Sequence, residues 1–217
     1  MLEILTFVLG PVQTNAYLIG DPQSGEAAVI DPSWDGELIL DAAHGRGWRI
    51  AHLWYTHAHF DHIGGAAAIA DASNPLPLVA LHPADHALWR MQGGAALFGY
   101  KIDPGPEPTI DLVESQTLRL GDVELQVRHT PGHTPGHVIL YAAAMGVCFC
   151  GDLIFRGGVG RTDLPGGVWD HLLESVRSKV FTLPDETRLL PGHGSETTVG
   201  EERRSNPFVG EEAERAS

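Results

Sequence analysis

The 217-residue chain is poor in cysteine, in basic charge and in long apolar runs. Its two cysteines, Cys148 and Cys150, stand two positions apart in a stretch that reads as a strand. Side chains at that spacing run parallel on one face, so buried packing is expected and a disulfide between them is not. Lys and Arg number 14 against 28 Asp and Glu, a formal net charge of −14. Nucleic acid and anionic membrane both need a basic face, so the deficit argues against either as a partner. Solubility suffices as a reason for most of the acidity, part of which lies near the C-terminus at Glu201, Glu202, Glu211, Glu212 and Glu214. No apolar run approaches the roughly 18 residues of a membrane span. Met1–Val8 has no basic leader and Gly10-Pro11 cuts its apolar run short, so it reads as a strand and not as a signal peptide. Reduced cysteines without an export signal are expected in the cytosol.

A chain of this length is ample for one core-forming domain and tight for two. We expect a single domain over 1–208 and an acidic C-terminal tail over 209–217. Three strands open the chain, Leu2–Leu9, Asn15–Gly20 and Ala27–Ile30, separated by turn-forming residues. A short helix follows, with Leu38, Ile39 and Ala42 as its apolar side and Gly45 or Gly47 as its stop. Ile50–Thr56 reads as a buried strand and the alanine-rich stretch Gly64–Ala72 as a helix. Leu78–Leu81 is a strand, and Pro83 opens a helix to about Met91. Residues 92–110 read as a long loop, either a wall of the active site or a surface detour. Further strands are expected at Glu114–Leu120, Val123–Val127, Val138–Ala142, Val147–Cys150 and Arg188–Leu190. An amphipathic helix spans about Val168–Val180, with Trp169, Leu172, Leu173, Val176 and Val180 on one face. Two such half-chains suggest two sheets packed together with helices outside.

The stretch Thr56-His57-Ala58-His59-Phe60-Asp61-His62-Ile63-Gly64-Gly65 stands apart. Three imidazoles and a carboxylate fall within six residues, at the mouth of a strand-to-helix turn, where α/β folds place ligands. Alternate residues His57 and His59 can point the same way in an extended loop, while Asp61 and His62 fall one turn further on. Two adjacent metal positions suit that spacing. Further along, His133, Asp152 and His193 each stand beside glycine just past an expected strand, where backbone can approach a metal closely. Imidazole and carboxylate without thiolate suit Zn²⁺, Fe²⁺ or Mn²⁺ and do not decide among them.

His57-x-His59-x-Asp61-His62, followed by His133, Asp152 and His193 in that order, resembles the metallo-β-lactamase superfamily from the first strands to about Phe208. The resemblance implies an α/β fold, an αββα sandwich of two mainly antiparallel sheets flanked by helices, with two divalent metal ions at one edge. By position, His57, His59 and His133 would hold the first metal, Asp61, His62 and His193 the second, and Asp152 would bridge them. His137 and His129 are expected to support the site without binding metal, and no metal role is expected for His44, His52, His82, His86 or His171. Two cations about 3.5–4 Å apart can lower the pKa of a shared water to about 7, supplying hydroxide to attack a carbonyl. Asp61 and His62 are the catalytic residues expected to work with that hydroxide.

Gly151-Asp152-Leu153-Ile154-Phe155-Arg156, Gly160-Arg161-Thr162-Asp163 and Asn15-Ala16-Tyr17 are similar to the glyoxalase II branch, closest to its short single-domain bacterial members. That likeness implies a small-molecule thioester substrate of the hydroxyacylglutathione type, zinc as the first choice of metal with iron or manganese as alternatives, and Arg161 as a substrate-binding residue. Larger members carry a C-terminal helical domain that grips glutathione, which is not expected in these 217 residues. An alternative role for Arg161 is a salt bridge to Asp163. Alternatives for the whole chain are an iron-dependent persulfide dioxygenase, a lactone or ester hydrolase, and a non-catalytic metal-binding scaffold.

Overall fold

The structure is a computed structural model and describes residues 2–211 and 213. Of the expected acidic tail, residues 212 and 214–217 lie outside the described residues.

Alternation of side chains along the strands builds three apolar layers. The first sheet takes β1 (Glu3–Leu9), β2 (Thr14–Asp21), β3 (Glu26–Ile30), β4 (Arg49–Trp54), β5 (Leu78–Leu81) and β6 (Ile110–Asp111), hydrogen-bonded in that order. Along β2, Ala16 and Leu18 turn to one side and Tyr17 and Ile19 to the other, and all four are buried. Ala16 and Leu18 meet helices α1 (Gly36–His44), α2 (Phe60–Ile63) and α3 (Ala66–Asp71) through Ile39, Ala43, Ile63 and Ile69. Tyr17 and Ile19 face the second sheet, where Leu125, Val127, Leu140 and Phe149 close the central layer.

The second sheet begins with β7 (Thr117–Leu120), β8 (Val123–His129), β9 (Val138–Ala142) and β10 (Val147–Gly151). A small hairpin, β11 (Ile154–Phe155) with β12 (Gly158–Val159), follows before β13 (Arg188–Pro191) and β14 (Thr197–Thr198) complete the sheet in the order β14-β13-β10-β9-β8-β7. Its outer face buries Cys148 and Cys150 against Leu172, Val176 and Val180, from α5 (Trp169–Ser175) and the turns that extend it. Both thiols are free and buried, as packing on one strand face requires. The αββα sandwich follows from these layers.

Several details depart from the expected pattern. The first sheet is mixed: β1, β2 and β3 pair antiparallel, but β3-β4, β4-β5 and β5-β6 are parallel. All three of these connections carry helices, α1, then α2 with α3, then α4 (His86–Arg90), and parallel neighbours require such crossovers. In the second sheet only β10-β13 is parallel. In α1 the buried residues are Gly36, Ile39, Leu40 and Ala43, an i, i+3, i+4, i+7 stripe that turns Leu38 out to solvent. Trp169 likewise lies largely exposed, at 40 %. The helix expected over Gly64–Ala72 is Ala66–Asp71, and a further, unexpected short helix precedes it, formed by the motif's own Phe60-Asp61-His62-Ile63. Residues 92–98 are a 3₁₀ stretch and not open loop. No helix among the described residues is long and apolar enough to cross a membrane.

Candidate metal centre

The ends of β4, β10 and β13 open on one edge of the sandwich, and the seven candidate ligands gather there. Past β4 the chain runs extended, so His57 and His59 turn towards one point; His59 then caps α2, which lifts Asp61 and His62 through a single turn. His133 arrives from the loop after β8, Asp152 directly after β10, and His193 just after β13. All but His193 are buried, and His193 is 28 % exposed.

Two groups result. His57, His59 and His133 bring one ring nitrogen each within 4.8 Å of the others, and Asp61, His62 and His193 do the same with one carboxylate oxygen. Asp152 stands between the groups. Its Oδ2 is 3.6 Å from His133 Nε2 and 3.4 Å from His193 Nε2, and its Oδ1 is 3.3 Å from His62 Nε2.

The hydrogen-bond network fixes the tautomers. The Thr56 hydroxyl donates to Asp31 Oδ2 at 2.6 Å, so His57 Nδ1 must be the donor in its 3.0 Å contact with that hydroxyl. His57 Nε2 is left buried with no partner. His62 Nδ1 donates to Asp31 Oδ2 at 3.0 Å, and its Nε2 also lacks a hydrogen bond. His133 Nδ1 donates to the Arg161 carbonyl at 2.7 Å, which turns Nε2 to the centre. One nitrogen held by a protein acceptor and the other presented inward is the arrangement of a metal-binding histidine.

Electrostatics separate the two groups. Burial pushes His57 well below the ordinary histidine range, with the neighbouring rings adding to it, and brings His59 to about 3. His133 is lowered as well, again by burial, so this trio is neutral, the form that binds metal. In the other group burial opposes charge on His62, yet Asp152, Asp61 and Asp31 raise it well above the ordinary value. His193 rises to about 10, burial again being outweighed by its bonds to Asp152 and Asp61. The carboxyls answer: against burial, His62 and His193 hold Asp152 far below the usual range and Asp61 at about 2. Such a cluster is rich in charge that divalent cations can replace proton for cation. Nε2 of His57 and His62 and Oδ1 of Asp152, all buried and without hydrogen-bond partners, fit metal coordination. Gly192 completes the cradle, because a Cβ there would lie 2.1 Å from Asp152 Oδ1.

Residues beyond the expected set hold the centre in place. Asp31, which in sequence looks only like a strand end before Pro32, ties Thr56 and His62 together. Asp85, fully buried, accepts from Ala58 N, Thr134 Oγ1 and Gly136 N, joining the first ligand loop to the His133 loop. His137 does support the site without facing the ligand groups: its Nε2 accepts from Asp152 N at 3.2 Å and its Nδ1 donates to Thr130 Oγ1 at 2.9 Å. His129 instead stacks on His82, the rings 4.1 Å apart and nearly parallel. Asn15 Nδ2 donates to Pro191 O and Gly194 O, and Tyr17 Oη to Pro191 O, which brackets His193. Arg161 lines the mouth of the site, but its guanidinium is held by Asp163 through two bonds of 2.7 and 2.8 Å. None of His44, His52, His82, His86 or His171 enters a ligand group among the described residues.

Comparison with known proteins agrees with this geometry. The profile of the metallo-beta-lactamase superfamily matches residues 9–193. The chain is similar to hydroxyacylglutathione hydrolase GloC of Haemophilus influenzae, 34% identical over 91% of this chain and 93% of that one. Among solved structures it is similar to BLEG-1 B3 metallo-beta-lactamase (TM-score 0.88, 35% identity, 96% and 99% of the two chains). It is also similar to TTHA1623 in a di-iron-bound form (TM-score 0.85, 40% identity, 94% and 100%).

Proposed function

The chain belongs to the metallo-β-lactamase superfamily, and within it we propose a dinuclear metal-dependent hydrolase that cleaves thioesters of the hydroxyacylglutathione type. One observation carries the reading: two ligand triads, His57/His59/His133 and Asp61/His62/His193, stand on either side of Asp152. Each triad would hold one divalent cation and Asp152 would contact both. When bound, such a pair of cations polarises a carbonyl and brings the pKa of water to about 7. Zinc is the proposed metal; iron and manganese suit the same donors.

The chain's own residues do the rest. Thr14 Oγ1 donates to Asp61 Oδ2 at 2.8 Å, and Asp31 holds His62, so the two proposed catalytic residues are fixed before substrate arrives. Water oxygen adds to the acyl carbon, the C–S bond breaks, and a carboxylate, a thiol and one proton are released. A thiolate is a good leaving group, so no protein acid is required beside the sulfur. The name of the Haemophilus influenzae relative supports a thioester, as does Asn15-Ala16-Tyr17, while Gly160-Arg161-Thr162-Asp163 suits a persulfide dioxygenase equally. Arg161 remains the proposed contact for a substrate carboxylate, with Asp163 as its competitor. The acidic balance and the two buried free thiols support a cytosolic enzyme of small molecules, without nucleic acid or membrane as partner.

A second reading is the iron-dependent persulfide dioxygenase, for which the di-iron-bound form of TTHA1623 supports the choice of iron alone. Pro191-Gly192-His193-Gly194 and the buried His137 speak for the hydrolase. Metal analysis of the purified protein, beside assays with S-lactoylglutathione and with glutathione persulfide under oxygen, tests both. Oxygen uptake with persulfide and no thioester cleavage would reverse the order.

A further inference from the structure

Beside the metal centre lies a second hollow of about 210 Å³ that the chemistry so far leaves unused. It opens between α4 (His86–Arg90), the 3₁₀ stretch Gln92–Phe98 and the loops at Pro135 and Leu164. His59, Phe98 and Leu164 line both this hollow and the roughly 170 Å³ space over the metal ligands, so the two are halves of one cleft. From the proposed thioester reading and this continuity, we infer that the hollow binds the hydrocarbon part of the substrate, a short alkyl chain or an aromatic ring.

The lining is apolar where it could have been charged. Ala87, Leu88, Met91 and Leu97 form it with Phe98 and Leu164, and no Lys or Arg takes part. Its one carboxylate, Asp85, is fully buried and spends its oxygens on Ala58, Thr134 and Gly136, so it offers a substrate nothing. Met91 and Leu97 are 69% and 67% exposed, a poor state for apolar side chains unless a ligand covers them. The wall is also rigid. Phe98 packs on Phe60 with ring centroids 5.2 Å apart, and Phe60 stacks on Tyr100. Gly93, at φ +62°, presses directly on the ligand loop: a Cβ there would meet Phe60 N at 2.2 Å. An apolar group in the hollow therefore sits at a fixed distance from the atoms that would hold the metals. A tripeptide thiol with two carboxylates has no cationic partner in this half of the cleft.

Two series of neutral thioesters test the inference on the metal-loaded enzyme. One lengthens the acyl chain on N-acetylcysteamine from acetyl to octanoyl and includes phenylacetyl. The other keeps acetyl and lengthens an alkanethiol. Each buried methylene is worth about fourfold, so kcat/KM should climb about fourfold per methylene in one series, mostly through KM, and then level off. That series identifies which side of the thioester enters the hollow. Ala87→Trp, which fills the space from an exposed helix position, and Leu97→Gln should both flatten the slope, with circular dichroism checking the fold. Calorimetry with S-alkyl-N-acetylcysteamine thioethers, which cannot be hydrolysed, reads binding alone and should show a negative heat-capacity change that grows with chain length. Hydrolysis without chain-length dependence in either series overturns the inference and leaves the hydrolase reading standing. Graded thioether binding with no thioester cleavage supports the hollow and removes the hydrolase.

Discussion

Asp31 Oδ2 lies 3.0 Å from Nδ1 of His62, both groups wholly inside the protein. The same carboxylate accepts from the backbone N–H and the hydroxyl of Thr56, next to His57. One acid thus orients a histidine from each proposed metal position, and with His57 and His62 it forms a group that overlaps both triads.

Asp31→Asn should therefore weaken metal binding without removing a ligand. Loss of such a supporting carboxylate costs roughly 10- to 100-fold in metal affinity. Equilibrium dialysis with zinc should show the larger loss at the weaker of two sites, with kcat falling in step. Unchanged affinity would mean that packing alone orients His62.

His133→Ala should reduce bound metal from two equivalents to one or fewer and abolish hydrolysis, since no other described side chain replaces that nitrogen in the His57/His59 group. Metal removal should also destabilise the wild type: a ligand at 1,000 times its Kd contributes about 4.1 kcal/mol. Thermal melts with and without chelator should separate clearly for the wild type and less for the variant. Full turnover by the variant at matched metal content would sink the mechanism.

Much of the metal centre is legible in the sequence, for a physical reason. His and Asp beside backbone that can come close, at strand ends, are what a candidate metal position calls for, so His57, His59, Asp61, His62, His133, Asp152 and His193 stand out in short motifs. Asp31 and Asp85 do not, because a buried acid that accepts backbone hydrogen bonds looks like any turn residue. Short apolar runs mark β5 and β9 to the residue, whereas the two-residue strands β6, β11, β12 and β14 are too short to read. Parallel pairing of β3, β4 and β5 is set by where α1 and α3 cross the sheet, a relation between distant segments. The hollow beside the centre is invisible in sequence for the same cause: Leu88, Phe98, Pro135 and Leu164 meet only when folded.

Tyr17 and Asn15 converge on the carbonyl of Pro191, two residues before His193. Tyr17→Phe removes one buried hydrogen bond while Asn15 still satisfies the carbonyl, a loss of about 1 kcal/mol. Melting should fall by roughly 2–4 °C for a chain of this size. Asn15→Ala strips two bonds and leaves Gly194 O without that donor, so it should cost more and raise KM or metal loss as His193 drifts. Equal effects from both variants would show that the bracket does not position His193.

His82 offers a pH test away from the ligands. Burial, and then the charge of the stacked His129, lower it from 6.5 to about 4. Its Nδ1 accepts from Ala84 N, which needs the neutral ring. The folded state thus favours the unprotonated form, so the stability it contributes is intact above pH 6.5 and lost as pH falls towards 4. The ring's proton NMR titration should centre near 4, and the stability gap between wild type and His82→Gln should shrink across that window. A midpoint near 6.5 would refute both burial and the stack as its causes.

Arg161 must exchange one partner for another if it is to bind a carboxylate. Asp163 already holds Nε and Nη2, and both side chains are more than half exposed. A free, desolvated arginine would add about 1.5–3 kcal/mol to a charged contact, or roughly 10- to 150-fold. Trading one exposed ion pair for another leaves only about 0–1 kcal/mol, at most about fivefold. Arg161→Ala should therefore lower kcat/KM for an anionic thioester by no more than about fivefold relative to a neutral one, with metal content unchanged. The informative variant is Asp163→Asn, which frees the guanidinium and should raise the anionic substrate's kcat/KM while leaving the neutral one in place. If Asp163→Asn instead slows both equally, the pair serves to hold the loop whose Arg161 carbonyl anchors His133, and the substrate's charge is met by no contact at this position.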